Sequence, residues 1–453
     1  MRHGQNSQKQ PVRFIRWVLL LIILVGMGFM VRHYAPEFEW YAPEVEVAIE
    51  GDHLGLGVFT VHVRERGKGL KQIRVGLRTD MGEFELFNKK FKEGVLSQDL
   101  NLSLKAKRKS LREGPASLII EVVDHSKWWF FAGNHTVVKR PFTIDLTPPK
   151  LEVLSRDHNV TMGGSGLVIY RVSDDVERSG VKIGNYFFDG ESGQFKDPSI
   201  RLAFFAYPYD VNKAQRPVVI AEDGAGNQTQ SGMYFVLKDR RYRKRTISVN
   251  DGFIERKVLP LLAAGTTDSL LSAYLEVNQK MRADNAATIK QVASTSRNRR
   301  LWSGPFFQLS NSKVEARFAD YRTYMYKGKA VDRQYHLGFD LAVTQRYPIE
   351  AANSGVVVFA KPLGIYGNTV MIDHGLGILT LYAHLSSIEV KKGDMVKTRQ
   401  RLGRSGVSGL AGGDHLHYGI YIRGVPVLPL EWWDPSWVEK QIERKLKDAR
   451  AGG

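Results

Sequence analysis

Trp17 to Val31 is uninterrupted apolar sequence, rich in Leu, Ile and Val, and a chain with such a run must bury it or hand it to a lipid bilayer. The run alone is shorter than the ~20 residues that span a membrane. Phe14, Ile15 and the region of Tyr34 extend it, with Arg16 snorkelling to the interface. A cleaved signal peptide would show a small-residue cleavage site, and Phe29-Met-Val-Arg-His-Tyr34 has none. A buried core helix would have amphipathic neighbours, which are missing here. Residues 17–34 therefore read as an uncleaved transmembrane signal anchor. The basic tail 1–16, with Arg2, Lys9, Arg13 and Arg16, stays in the cytoplasm by the positive-inside rule. Everything after about residue 35 is expected to be exported from a single-pass position in the inner (cytoplasmic) membrane. It would then face the periplasm or cell exterior, with the type of envelope left open.

The chain's 453 residues exceed one ordinary core, so several domains are expected. It has no cysteine, which excludes disulfides, thiolate metal ligands and thiol catalysis. A formal net charge of +18 favours acidic partners: nucleic acid, anionic headgroups or an anionic wall polymer. Export leaves no role for nucleic acid.

Residues 37–145 alternate apolar and polar positions in Val45–Glu50, Gly57–Val63 and Gln72–Leu77, the period of half-buried strands in a β-sandwich. The aromatic run Trp128–Phe131 reads as core or sheet-face packing. Asp145-Leu-Thr-Pro-Pro149 breaks regular structure and opens a second β unit, 146–240. Its Thr-Pro-Pro start and its Asp223-Gly-Ala-Gly-Asn227 end resemble bacterial immunoglobulin-like domains, which implies a spacer or a surface for a protein partner. Asp223 and Asn227 read as an Asx turn rather than a calcium site. The basic run Lys238–Arg245 is a solvated linker or a contact for anionic wall polymer. Residues 246–300 are expected to be a helical linker, with Asp268 as N-cap and Leu271, Tyr274, Leu275, Val277 and Met281 at helical spacing. This piece could cover a groove in the domain that follows. A basic helix or tail closes the chain at 437–453.

Between His336 and His417 stand five of the chain's twelve histidines. His415-Leu-His417 runs into the strand-like Tyr418-Gly-Ile-Tyr-Ile422, and side chains two apart on a strand share a face. Two imidazoles and one carboxylate leave a fourth position open on tetrahedral Zn²⁺, the arrangement of catalytic zinc sites. His336-Leu-Gly-Phe-Asp340 supplies the natural carboxylate. An isolated H-x-H is a weak signal, but here it stands among Pro348-Ile-Glu-Ala-Ala-Asn-Ser-Gly-Val-Val357, Tyr366-Gly-Asn-Thr-Val-Met-Ile-Asp-His-Gly375, Leu381-Tyr-Ala-His-Leu385, Lys392–Lys397 and Gly403-Arg-Ser-Gly406.

Together these motifs closely resemble the LytM-type, lysostaphin-like zinc metallopeptidases that cut peptidoglycan peptides, over about residues 317–433. The resemblance implies a mainly β chain, with a β-rich catalytic domain of duplicated-hybrid-motif type at 301–436. It implies His336, Asp340 and His417 as Zn²⁺ ligands, and His384 and His415 as catalytic histidines that do not bind the metal. No H-E-x-x-H helix exists, so some other group must accept the water proton; histidine titrates in the useful range, and which of His384 and His415 does so stays open. The expected function is a zinc-dependent endopeptidase hydrolysing cross-bridges or stem peptides of peptidoglycan. His374 reads as a turn residue and Asp373 as structural. Asp414 stands where a proline is common and Gly419 where a glutamate is common. An extra carboxylate beside His415 could raise that histidine's pKa or orient its ring. A non-catalytic wall-binding activator is the alternative, and the complete set of five key residues argues against it. A lipoyl-like carrier, suggested by Val390–Lys397, would lack a convincing tip lysine and have no use for the histidines.

Overall fold

A computed structural model describes residues 10–34, 39–49, 51–128, 132–263, 265 and 268–451. Most of the basic tail and Trp129–Phe131 of the aromatic run lie outside the described residues. The chain is mainly β, with an apolar helix at its start. That helix, Gln10–Tyr34, is long and apolar enough over Arg16–His33 to cross a membrane. The chain divides into two compact units: residues 1–148 with 223–228, and residues 149–222 with 229–453. The division falls inside the Pro148-Pro149 pair.

The first unit holds a five-stranded sheet, whose long strands are Leu70–Thr79, Gly82–Lys90, Gly114–Asp124 and His135–Ile144, and a three-stranded sheet of Glu44–Ala48, Val58–Arg64 and Ser97–Ser103. Strict alternation puts Phe59, Val61 and Val63 inward from one sheet, against Ile73, Val75, Leu77, Leu118 and Ile120 from the other. Trp128 is 37% exposed and meets the Trp40 ring edge-on at 6.3 Å, so it packs at the surface and not in the core. Asp223 Oδ1 accepts the N–H groups of Ala225 and Asn227, which makes the segment an Asx turn.

The second unit is built on an eight-stranded antiparallel sheet. Its order runs Lys313–Ala316, Phe339–Ala342, Leu416–Ile422, Ile378–Leu385, Asn368–Gly375, Gly355–Pro362, Met395–Val396, with Val425–Val427 on the edge of Leu416–Ile422. Ile378–Leu385 and Leu416–Ile422 are buried at every position, so both faces of the sheet are covered. On one face Ile378, Tyr382, Tyr418 and Ile420 share a core with Trp432, Phe204 and Phe205. On the other, Leu379, Leu381, Ala383 and Met371 pack against Ile254, Tyr274, Val277 and Ile289. Those last residues come from Asp251–Leu261 and from Leu270–Leu275, which continues through a wide turn at Glu276–Met281 into Arg282–Ala293. The N-cap of the second helix is Ser269, whose side chain accepts the Ser272 N–H, one residue beyond the expected Asp268. Asp268 precedes the turn that the cap must close.

The chain end is docked rather than free: Ile442 and Leu446 enter the core and Lys445 Nζ donates to the Leu167 carbonyl. The basic run is partly spent on structure, because Lys244–Val249 is a strand paired with Tyr321–Tyr326, and Arg243 grips the buried Asp320 bidentately at 3.0 and 2.7 Å.

Glu431 ties residues 149–222 to the large sheet. Its Oε2 accepts the Ser165 N–H at 2.8 Å, while Trp432 Nε1–H donates to Ser165 Oγ at 3.0 Å. Burial pushes the Glu431 carboxyl up to about 7. A carboxyl that binds its proton more tightly when folded loses stability as pH rises from its unfolded value through the folded one. Glu431→Gln keeps the acceptor and removes the charge. It should raise stability by up to about 3 kcal/mol at pH 8, with the gain fading toward pH 4, as thermal melts across pH will show.

Candidate active site

The site grows from one cross-strand register. In the central strand Leu416–Ile422, His417 lies opposite Asp340 on one neighbour and opposite Ala383 on the other. Paired residues on one face come close enough for their side chains to touch, and His417 Nδ1 stands 2.9 Å from Asp340 Oδ1. His336 enters from the segment ahead of the Asp340 strand. Its Nε2 stands 2.9 Å from Asp340 Oδ1 and 3.0 Å from His417 Nδ1. The intervening Gly338 is required by space: a Cβ there would sit 2.6 Å from His417 Nε2.

His336 is aimed by the backbone. Its Nδ1–H donates to the Arg317 carbonyl at 3.1 Å, so in the neutral ring Nε2 carries a lone pair. Three electron-pair donors thus converge, and these atoms can hold a metal ion. A tetrahedral ion with ligands at about 2.0–2.2 Å separates its donors by about 3.4 Å, which a small outward relaxation of this cluster meets. Imidazole nitrogen and carboxylate oxygen are a donor set suited to zinc. Around it, Arg322 Nη2 donates to Asp340 Oδ2 at 3.1 Å. Asp320, held by Arg243, accepts the Arg317 N–H through its carboxylate and the His336 N–H through its carbonyl.

His384 and His415 flank the cluster, with ring centres 4.8 Å apart. His384 sits near the end of Ile378–Leu385 with φ +62°, a left-handed backbone that turns its ring toward the site. Its Nδ1–H donates to the Ser408 carbonyl at 2.9 Å, and that of His415 to the Gly413 carbonyl at 2.8 Å. Both rings are thereby fixed with Nε2 as the free nitrogen, and His415 Nε2 lies 3.5 Å from Asp340 Oδ1. Burial, aided by its histidine neighbours, lowers His384 to about 3, so it is neutral. Burial also lowers His417 to about 4. His415 is raised, because the Asp340 carboxylate outweighs its burial. His415 itself precedes the strand, in an isolated bridge with Gly406, yet it reaches the same site as His417.

Two expectations are corrected. Asp414 turns its Oδ2 to the Arg346 N–H, and the carboxylate that raises His415 is Asp340, 3.5 Å from its Nε2. His374 is no turn residue. It is wholly buried in Asn368–Gly375, bonded through Nδ1 to the Ser354 carbonyl and through Nε2 to Thr380 Oγ1. Asp373 is structural, collecting Ser296 Oγ, the Arg297 N–H and the Gly375 N–H.

The histidines open onto a cleft of about 250 Å³. One wall is Tyr366, whose ring lies 5.4 Å from that of His417. Other lining residues come from outside the recognised motifs: Val249, Phe253, Tyr274, Arg282 and Arg322. The helical segment lines the cleft as a fixed wall, since the same segment buries one face of the sheet. Tyr366 stood inside a quoted motif and Tyr274 in the helical pattern expected to cover a groove, whereas nothing local marked Arg282 or Arg322.

Residues 334–429 match the sequence model of Peptidase family M23, so the chain carries an M23 peptidase domain toward its C-terminus. The chain is 45% identical over 92 residues to the peptidoglycan DD-endopeptidase ShyA of Vibrio cholerae, covering 20% of this chain and 21% of that one. It is 43% identical over 95 residues to the DD-carboxypeptidase/endopeptidase Mpg of Neisseria meningitidis, covering 21% and 22%. It thus spans about a fifth of the length of these relatives. Among solved structures, the catalytic domain of lysostaphin from Staphylococcus simulans is 28% identical, with 27% of this chain and 92% of that chain covered and a TM-score of 0.24.

Arg243 and Asp320 form the outer support of His336, and Arg243→Ala would leave Asp320, 1% exposed, as a lone buried carboxylate. The expected cost is about 2–3 kcal/mol at pH 7. Burial alone would raise the Asp320 carboxyl, but Arg243 holds it below its ordinary value. The pair's contribution is therefore present above the unfolded pKa and lost as pH falls through the folded one. Denaturant unfolding should show the deficit of Arg243→Ala at neutral pH and its disappearance in acid.

Proposed function

We propose that this chain is a zinc-dependent endopeptidase that cuts cross-bridges or stem peptides of peptidoglycan. The observation that carries the reading is the convergence of His336 Nε2, Asp340 Oδ1 and His417 Nδ1 within 3.0 Å, with two further histidines beside them whose Nδ1 atoms are tied to backbone carbonyls. His336, Asp340 and His417 hold the metal. When bound, zinc polarises the scissile carbonyl and brings the pKa of a bound water to about 7. His384 and His415 share the proton transfers: one Nε2 accepts the proton of the attacking water, and the other donates to the oxyanion or the leaving amine. The Ser408 and Gly413 carbonyls keep those rings oriented. Arg282 and Arg322, with Tyr274 and Tyr366, give the cleft a cationic and aromatic wall suited to carboxylate-bearing peptides. The names of the relatives point to the same substrate class. The set of donors and histidines is complete, which a purely wall-binding activator would not need.

The helix Gln10–Tyr34 serves in this reading as a signal anchor, placing the peptidase domain in the periplasm or outside the cell. The β-rich regions ahead of the peptidase domain act as spacer and as a surface for a protein partner.

About one zinc per chain is expected by elemental analysis, lost in His336→Ala/Asp340→Ala. His384→Ala and His415→Ala should each retain zinc and sacculus binding, yet release products on the order of 10²-fold more slowly. Digestion of purified sacculi by the full chain, with and without chelator, checks the reading. Zinc kept at full stoichiometry by the double variant, or full hydrolysis by both single variants, would refute it. A reporter fused at Gly453 should be active only outside the cytoplasm, and activity confined to the cytoplasm would reverse the topology.

A further inference from the structure

The first unit contains a second convergence of ligand-type side chains, unrelated to the histidines. Glu39, Glu65 and Asp124 each bring a carboxylate oxygen within 4.8 Å of the other two. Asp124 is completely buried and Glu65 is 6% exposed. Three carboxylates so placed repel one another in a poorly solvated setting, and a cation among them would relieve that repulsion.

The surroundings set the oxygens in place without neutralising them. Asp124 Oδ1 accepts the N–H groups of Ser126 and Asn134, and Oδ2 accepts Asn134 Nδ2 at 2.9 Å. Glu65 Oε1 accepts the N–H groups of Arg66 and Gly67. Glu39 Oε1 accepts the Lys68 N–H at 2.7 Å. All of these donors are uncharged amides. Glu65 Oε2 points to a missing ligand: it is buried and, among the described residues, has no hydrogen-bond partner. Burial, with the charges of Asp124 and Glu39, holds the Glu65 carboxyl above its ordinary value. Gly67 makes room for the third carboxylate, because a Cβ there would fall inside the Glu39 carboxyl group. Glu39 also lines a surface cleft with Tyr41, Arg66, Gly67 and Lys68, whereas Asp124 and Glu65 lie behind it, buried. Arg66 is itself paired with Glu44.

We propose that Glu39, Glu65 and Asp124 bind a calcium ion. The donor set is oxygen only and triply anionic, the preference of a hard divalent cation rather than of zinc. Further oxygens, from water, would complete a coordination of about six to eight. The ion would act as a clasp. Glu39 follows shortly after the apolar helix ending at Tyr34, and its carbonyl already accepts Ser126 Oγ and Asn134 Nδ2. Asp124 ends one long sheet strand and Glu65 follows a strand of the other sheet. Calcium thus fastens the stretch beyond the helix to both sheets at once.

The full chain, in detergent micelles and saturated with zinc, is titrated with Ca²⁺ by calorimetry. A parallel titration with Tb³⁺ follows luminescence sensitised by Trp40 and Trp128. One saturable site is expected, with a Kd on the order of 0.1–1 mM, the range of extracellular calcium modules. Glu65→Gln and Gly67→Ala should each weaken it by about tenfold or more, while His336→Ala/Asp340→Ala leaves it intact. Calcium should raise the melting temperature of the wild type and not that of Glu65→Gln. In calcium-free buffer Glu65→Gln should melt no lower than the wild type, because it relieves the repulsion. The proposal is overturned by no saturable binding in the wild type, by equal binding in Glu65→Gln, or by loss of binding in the His336→Ala/Asp340→Ala variant alone. A lower calcium-free melting temperature of Glu65→Gln would mark Glu65 as merely structural and overturn it too.

Discussion

The pairing of Asp340 with His417 across two antiparallel strands is the constraint on which the rest depends. Register in a sheet is discrete, and a slip of one residue would turn either side chain to the opposite face. The fold secures the register from both sides. The His417 strand is buried along its whole length between the Asp340 strand and the strand Ile378–Leu385 that carries His384. A site built this way needs no flexible loop to bring its donors together. The close packing of Gly338 on the His417 ring adds a steric lock at the point where His336 joins.

Outside the cluster, electrostatics repeats one device. Histidine Nδ1–H groups are tied to backbone carbonyls at Arg317, Ser408 and Gly413, so three rings have their free nitrogen chosen by the main chain. Only His417 turns Nδ1 inward. The carbonyl at Arg317 is fixed in turn by the Asp320 carboxylate, and Asp320 by Arg243 from the basic run. A stretch that reads as a polymer contact in sequence thereby contributes to the orientation of a histidine some 90 residues later.

How far the site could be read in the sequence depended on how local the signal was. His336, Asp340, His384, His415 and His417 sit in short motifs with fixed spacing, and the structure gathers all five. The strands of the first unit announced themselves by alternation, because one face of each meets solvent. The strands at Ile378–Leu385 and Leu416–Ile422 are buried on both faces and show no alternation, so only neighbouring turns and motifs marked them. Arg282 and Arg322 reach the cleft through tertiary packing alone. His374 was misread because its Gly-flanked motif looks like a turn, while its partners Ser354 and Thr380 are supplied by other strands. The Glu39, Glu65 and Asp124 cluster was invisible for the same reason, since its members come from separate stretches of chain.

The helices at residues 251–293 cover Met371, Leu379 and Leu381 on one face of the sheet, while the recognisable family motifs begin only near residue 334. The unit of homology is therefore smaller than the unit of folding. A fragment cut at the edge of the motifs would carry every ligand and both catalytic histidines, yet it would expose one apolar face of the sheet that holds them. Such a fragment would pair with itself or aggregate before it could bind anything. In this chain the residues that look like a linker cover one of the two apolar faces of the sheet on which the peptidase domain rests.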